Sequence, residues 1–168
     1  MTFSGVKRIS LAQGKQILKV CTNTDISDTE KINQCIKIYS GASDKEIQEA
    51  NENHLKAVYN QILRLVLPEK ILPINCSYIN TDGKLYELDL DAAGGDLDNA
   101  AIIPDDIEKV LADCCVRFRY QGHGFKWEDV TDRQAAAIDL LTASWRDAAS
   151  CYLYLKTKCN DPAILPVM

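Results

Sequence analysis

The sequence has only two histidines, His54 and His123, in 168 residues, and it has neither a G-x-G-x-x-G nor a G-x-x-x-x-G-K-[ST] run. The side chain best suited to acid–base work near neutrality is therefore scarce, and the glycine cradle for nucleotide phosphates is missing. None of the seven cysteines (21, 35, 76, 114, 115, 151 and 159) stands in a C-x-x-C pair, and their number is odd. That pattern suggests neither a disulfide framework nor a zinc knuckle. Most of the cysteines fall on apolar helix stripes, where a free thiol packs as a small hydrophobe. No apolar run approaches the ~20 residues of a membrane helix, and the opening MTFSGVKRIS carries no hydrophobic signal core. The expectation is an intracellular protein without membrane contact. Internal repeats and low-complexity segments are also missing.

With 46% hydrophobic and 26% charged residues, the composition is that of a globular protein. A chain of this length buries roughly 70% of its unfolded surface in one core, so residues 1–168 read as a single domain. Charge is distributed unevenly. Ten acids and two lysines fall between Asp82 and Asp113, a net of −8 in a chain totalling −5, which leaves the remainder at +3.

Three helix starts carry the capping-box pattern: Ser10-Leu-Ala-Gln13, Ser27-Asp-Thr-Glu30 and Ser43-Asp-Lys-Glu46. The first opens a short helix to about Cys21, weakened by Gly14. The second, with Ile32, Cys35, Ile36 and Tyr39 at helical spacing, stops at Gly41. The third is expected to run on to about Leu67, with Ile47, Leu55, Val58, Ile62 and Leu65 on one stripe and Pro68 closing it. From Ile71 the periodicity changes. ILPINCSYI, the turn NTDG and the alternating KLYELDLD predict a β-hairpin over 71–91 with one buried and one acidic face. Pro104, Asp105 and Asp106 then open a fourth helix whose stripe is Ile107, Val110, Leu111, Cys114 and Phe118. After a glycine-bearing loop, Thr131-Asp-Arg-Gln134 starts one long helix to about Lys158, apolar at 138, 141, 145, 148, 152 and 155. The order is α-α-α-β-β-α-α: a mainly α fold, a bundle of about five helices with one inserted hairpin.

YELDLDAAGGDLDN, Tyr86 to Asn99, has five carboxylates and a Gly-Gly pair, the composition of a cation loop. An EF-hand counted from Asp89 finds oxygen at Asp91 and glycine at Gly94, but alanine at the fifth and twelfth places (Ala93, Ala100). A solvated linker between hairpin and helix is the better reading, and no metal or cofactor is expected. RFRYQGHGFKW interleaves Arg117, Arg119, His123 and Lys126 with aromatics that include Tyr120 and Trp127, which suits phosphate contact with base stacking. The competing reading makes Phe118 core and the cations helix-terminal, and an acidic chain is a poor non-specific nucleic-acid binder. Cys115 and His123 are close enough in sequence for a thiol–imidazole pair, but no oxyanion-hole motif accompanies them. His54 borders an apolar stripe and reads as a surface residue.

Residues 160–168, NDPAILPVM, form an apolar segment that its prolines keep extended. Such a segment suits a groove or a sheet edge on a neighbouring subunit. Its Ile164, Leu165, Val167 and Met168, the hairpin tip with Asn80, Asp82 and Lys84, and the acids Asp89, Asp91, Asp96 and Asp98 are the expected partner contacts. An acid-rich part opposed to a mildly basic remainder favours head-to-tail recognition between subunits. In the order of its elements across most of the chain, the protein resembles the head-to-tail adaptor (connector) proteins of tailed bacteriophages, small helical domains that form a ring under the portal. The resemblance implies a non-enzymatic structural protein that self-associates or docks to a larger assembly, in the host cytoplasm or the virion. It carries no residue roles. Two other functions are compatible with the residues: a nucleic-acid-binding module using Arg117, Arg119, Tyr120, Lys126 and Trp127, and a small cytosolic enzyme or inhibitor using Cys115 with His123.

Overall fold

The computed structural model describes residues 8–74, 78–82, 84–88, 103–114, 118–121 and 126–159. Among these residues lie seven α-helices and four short strands. In chain order they are α1 (Leu11–Thr22), α2 (Asp28–Ser40), α3 (Asp44–Glu49), α4 (Glu52–Val66), β1 (Tyr78–Asn80), β2 (Leu85–Leu88), α5 (Ile107–Cys114), β3 (Phe118–Gln121), β4 (Trp127–Asp129), α6 (Arg133–Leu140) and α7 (Trp145–Cys159). The fold is mainly helical, with a small antiparallel sheet inserted among the helices. Helix α1 touches α2, α4 and α7, and α7 in turn meets α4 and α5.

The three serine caps form where the sequence places them. Ser10, Ser27 and Ser43 each accept from the amide three residues on, and Gln13 and Glu46 reach back to complete two capping boxes. Gly41 ends α2 at φ 75°, the left-handed conformation that favours glycine at this position. The expected third helix is broken. Ala50 is extended, and Asn51 begins α4 by accepting from the Asn53 amide at 2.9 Å. A side chain that bonds its own backbone competes with the helix, and the apolar stripe running through both halves conceals the break.

The long final helix is also two. Asp132, rather than Thr131, caps α6 by accepting from the Ala135 amide at 2.9 Å, and the chain unwinds between Leu140 and Trp145. The unwound carbonyls have a use. Leu11 donates its amide to the Ala143 carbonyl at 2.7 Å and Ala12 donates to Leu141 at 3.1 Å. The Gln13 amide goes to Ser10 Oγ, and the Ser10 amide goes to Gln13 Oε1. All four amides that the start of a helix leaves without an internal partner are thereby satisfied in α1. The break also resets the helical phase. Trp145, Ala148, Tyr152 and Leu155 stay buried, but Ile138 is 62% exposed.

Gly14 has a structural task that its helix propensity hides. A Cβ built on it would lie 2.2 Å from Trp145 Cδ2, so the missing side chain is what lets the indole lie against α1. Trp145 is 1% exposed, and its Nε1–H donates to the Val66 carbonyl at 3.1 Å, joining α7 to the end of α4. Around it the core gathers Leu11, Ile17, Ile36, Ile62, Val66, Ile107, Leu111 and Leu140, all at or near zero exposure.

The expected hairpin is half of the sheet. Strand order is β1-β2-β3-β4, antiparallel throughout, with Leu85 opposite Gln121 and Leu88 opposite Phe118. Phe118 thus belongs to a strand and not to the fourth helix, and Trp127 opens a strand where a loop was expected. The alternation read from the sequence holds in β2, where Tyr86 and Leu88 are buried.

Candidate interaction surface

Cross-strand register sorts the sheet into two faces, because residues directly opposite one another point the same way. Ile79, Tyr86, Tyr120 and Glu128 form one row, on the face that carries the buried Ile79, Tyr86 and Leu88. Tyr78, Glu87 and Asp129 lie on the other face, beside the row Asn80, Leu85, Gln121 and Trp127.

The inner face is clamped to α6 by a polar knot. Asp139 Oδ2 accepts from Lys84 Nζ at 2.5 Å and from the Tyr86 hydroxyl at 2.6 Å. Lys84 also lies 5.3 Å from the Tyr120 ring centre, and the Tyr120 hydroxyl donates to Glu128 Oε2 at 2.5 Å. Donors from Lys84 and Tyr86 hold the Asp139 carboxyl below its ordinary value. Burial, then the bond to Asp139, pushes the Tyr86 phenol up; the bond to Glu128 does the same for Tyr120. Both phenols act as hydrogen-bond donors in this knot.

The hairpin tip is held by its own chain. The Asp82 amide donates to Thr142 Oγ1 at 3.0 Å, the Asn80 carbonyl accepts from Arg8 Nη2 at 2.8 Å, and Lys84 is committed to Asp139. The acidic segment is likewise less free than its charge count implies. Glu108 is buried and accepts from Lys15 Nζ through both carboxylate oxygens, at 2.9 and 2.7 Å, pinning α5 to α1.

The outer face is different. The Tyr78 and Trp127 rings lie 6.0 Å apart at 44°, a tilted pair at 53% and 36% exposure. The Tyr78 hydroxyl donates to Glu87 Oε1 at 3.2 Å. The segment leading into β1 exposes Leu72 and Ile74 as well, although the Leu72 carbonyl is anchored by Ser150 Oγ on α7. Lys126 is exposed next to Trp127, with Glu128 and Asp129 on its other side. The arrangement offers an exposed aromatic contact with Glu87 and Asp129 on the same face.

Of the residues expected from the sequence, Tyr120 and Trp127 fall on the same sheet as Asn80, with Lys126, Asp82 and Lys84 next to its strands, so two separately predicted segments become one unit. Arg119 takes its place in β3. Asp89, Asp91, Asp96, Asp98, Arg117, Cys115, His123, Ile164, Leu165, Val167 and Met168 lie outside the described residues. His54 is exposed on α4. Sequence reading passed over Tyr78 and Asp139; Tyr78 carried a signal as the outward residue of an alternating strand, whereas nothing local marks Asp139. Among the described residues no group of three or more His, Cys, Asp or Glu is placed to hold a metal ion, and no helix is long and apolar enough to cross a membrane. Comparison of the chain with family models, with curated proteins and with solved structures finds no match in any of the three.

Proposed function

We propose that this chain is a non-enzymatic assembly protein that joins copies of itself through the outer face of its sheet, as a connector ring would require. The observation that supports the reading is the Tyr78–Trp127 pair. Scattered exposed hydrophobes are normal, but two large aromatics packed together on a solvent-facing sheet form the kind of anchor that dominates interface energies. Glu87 and Asp129 on the same face supply a charged rim, and the +3 remainder of the chain supplies complementary charge on a sister subunit. The test is native mass against concentration for the wild type and for a Tyr78→Ser, Trp127→Ser double variant of unchanged circular dichroism. Concentration-dependent oligomers from the wild type and a monomer from the variant are expected. A wild type that stays monomeric at every concentration overturns the reading.

Single-stranded nucleic acid stacking on the same two rings is a second reading, favoured by the aromatic pair itself and opposed by the neighbouring carboxylates. Binding of an oligonucleotide that weakens steeply with added salt, and that is lost in the double variant, would select it.

A further inference from the structure

A second polar cluster lies far from the sheet in sequence, where α1 meets α2 and α4. Cys21 sits in the last turn of α1 and Cys35 in the middle of α2, with their sulfurs 3.8 Å apart, and the Tyr59 hydroxyl of α4 is 4.0 Å from Cys21 Sγ. The two thiols are not equivalent. Cys21 is half-buried, whereas Cys35 is fully enclosed. A peroxide in solvent therefore meets Cys21 before Cys35.

We infer that Cys21 and Cys35 form an oxidisable pair, a modification site at which a hydroperoxide closes a disulfide between α1 and α2. The step balances without any further reactant. The Cys21 thiolate attacks one peroxide oxygen, the O–O bond breaks, and the departing hydroxide takes a proton and leaves as water, with Cys21 now a sulfenic acid. Cys35 then attacks the Cys21 sulfur; the S–O bond breaks as the S–S bond forms, and the Cys35 proton leaves with the hydroxide as a second water. Two electrons have passed from the sulfurs to the peroxide.

The surroundings favour this order of events. The contact with Cys35, helped by Tyr59 and by the positive charge of Lys31 and opposed by burial, lowers the Cys21 thiol to about 7, which favours its thiolate. The contact with Cys21, together with burial, pushes Cys35 up, which suits a resolving thiol that stays protonated until the sulfenic acid forms beside it. Disulfide formation requires the sulfurs to close by roughly 1.8 Å from their present separation, toward the ~2.05 Å bond length, a movement on the scale of a side-chain rotation. The pair is independent of the sheet and of the assembly reading.

The test uses the full chain treated with hydrogen peroxide, blocked with N-ethylmaleimide under denaturing conditions and digested with trypsin without reduction. Because Lys19, Lys31 and Lys37 flank the two cysteines, the disulfide appears as peptide 20–31 joined to peptide 32–37. The expected result is that this joined species appears in proportion to peroxide, disappears on reduction, and is lost in Cys21→Ser and in Cys35→Ser. In Cys35→Ser, Cys21 should instead be trapped by dimedone as the sulfenic acid. The wild-type map decides the matter even if a variant fails to fold. Wild-type protein whose Cys21 stays unreacted, or proceeds to sulfinic acid without the joined peptides, overturns the inference.

Discussion

The α1–α4 region and the four-stranded sheet are stabilised in opposite ways. In the helical region each element carries its own instructions: a serine or asparagine cap at each start, a left-handed glycine after α2, and an apolar stripe facing the core. In the sheet the strands are three or four residues long, too short for independent stability. They are held instead by partners distant in sequence: β2 against β3, Lys84 and Tyr86 against Asp139, and the turn at Asp82 against Thr142. The helical region is built from local preferences that tertiary packing then joins, and the sheet exists only because tertiary packing brings its parts together. The molecule's two tryptophans report on the two regions separately, Trp145 inside the helices and Trp127 on the sheet.

The largest effect should come from breaking the joint that both regions share. Trp145→Ala removes the ring that fills the space over Gly14 and the hydrogen bond to Val66, and it should cost about 3–5 kcal/mol in urea unfolding. Cooperativity should fall with it, since α7 connects α1 and α4 to α5.

A smaller and more selective loss is expected from Asp139→Ala, which strips the acceptor from Lys84 and Tyr86. Hydrogen bonds to a charged group are worth roughly 1.5–3 kcal/mol, and partial exposure of Lys84 and Asp139 puts the expected loss at the low end of that range. Trp127 fluorescence and exchange of the β1 and β4 amides should respond more than α1 and α4 do. The pH dependence has a definite sign. Asp139 is held below its ordinary 3.8 when folded, so the unfolded chain binds the proton more readily and acid favours unfolding. The stability gap between wild type and variant should be constant at neutral pH. It should begin to close near pH 3.8 and vanish as pH falls through the lower folded value. A gap that persists unchanged in acid would mean that Asp139 acts by packing alone.

The smallest of the three effects tests the other side of the comparison. Ser43→Ala deletes the cap of α3 and the acceptor of the Glu46 amide, and should cost about 1 kcal/mol. It should leave exchange in the sheet untouched, because the sheet is held by α6 and by its own strand pairing. An equal response in both regions would show that the division between them is not energetic.

What could be read from the sequence follows the same line. Ser10, Ser27, Ser43 and Gly41 were legible because a cap is a relation among residues three or four apart. The β1–β2 hairpin was legible because NTDG and the alternation around Tyr86 are contiguous. The breaks before Asn51 and after Leu140 were not, since the apolar spacing continues across them while the backbone does not. Strands β3 and β4 looked like a helix end and a basic loop because β3's partner in β2 lies some thirty residues earlier, with α5 between them. At the candidate surface Trp127 was picked out as a base-stacking residue; its place beside Tyr78 depends on a four-strand register that no local pattern encodes.

By itself the sequence determined where α1, α2 and α3 start, where the apolar stripes lie, and that one stretch holds a net charge of −8. Only the tertiary structure decided which charged and aromatic side chains are used internally and which are presented outward. Glu108 and Lys84 look like surface charges in a count and prove to be ties to α1 and α6, while Tyr78 and Trp127, far apart in sequence, become one exposed pair. The reason is physical: capping and periodicity act over one or two helical turns, whereas the pairing of a charge or a ring depends on which distant segment the packed core sets beside it.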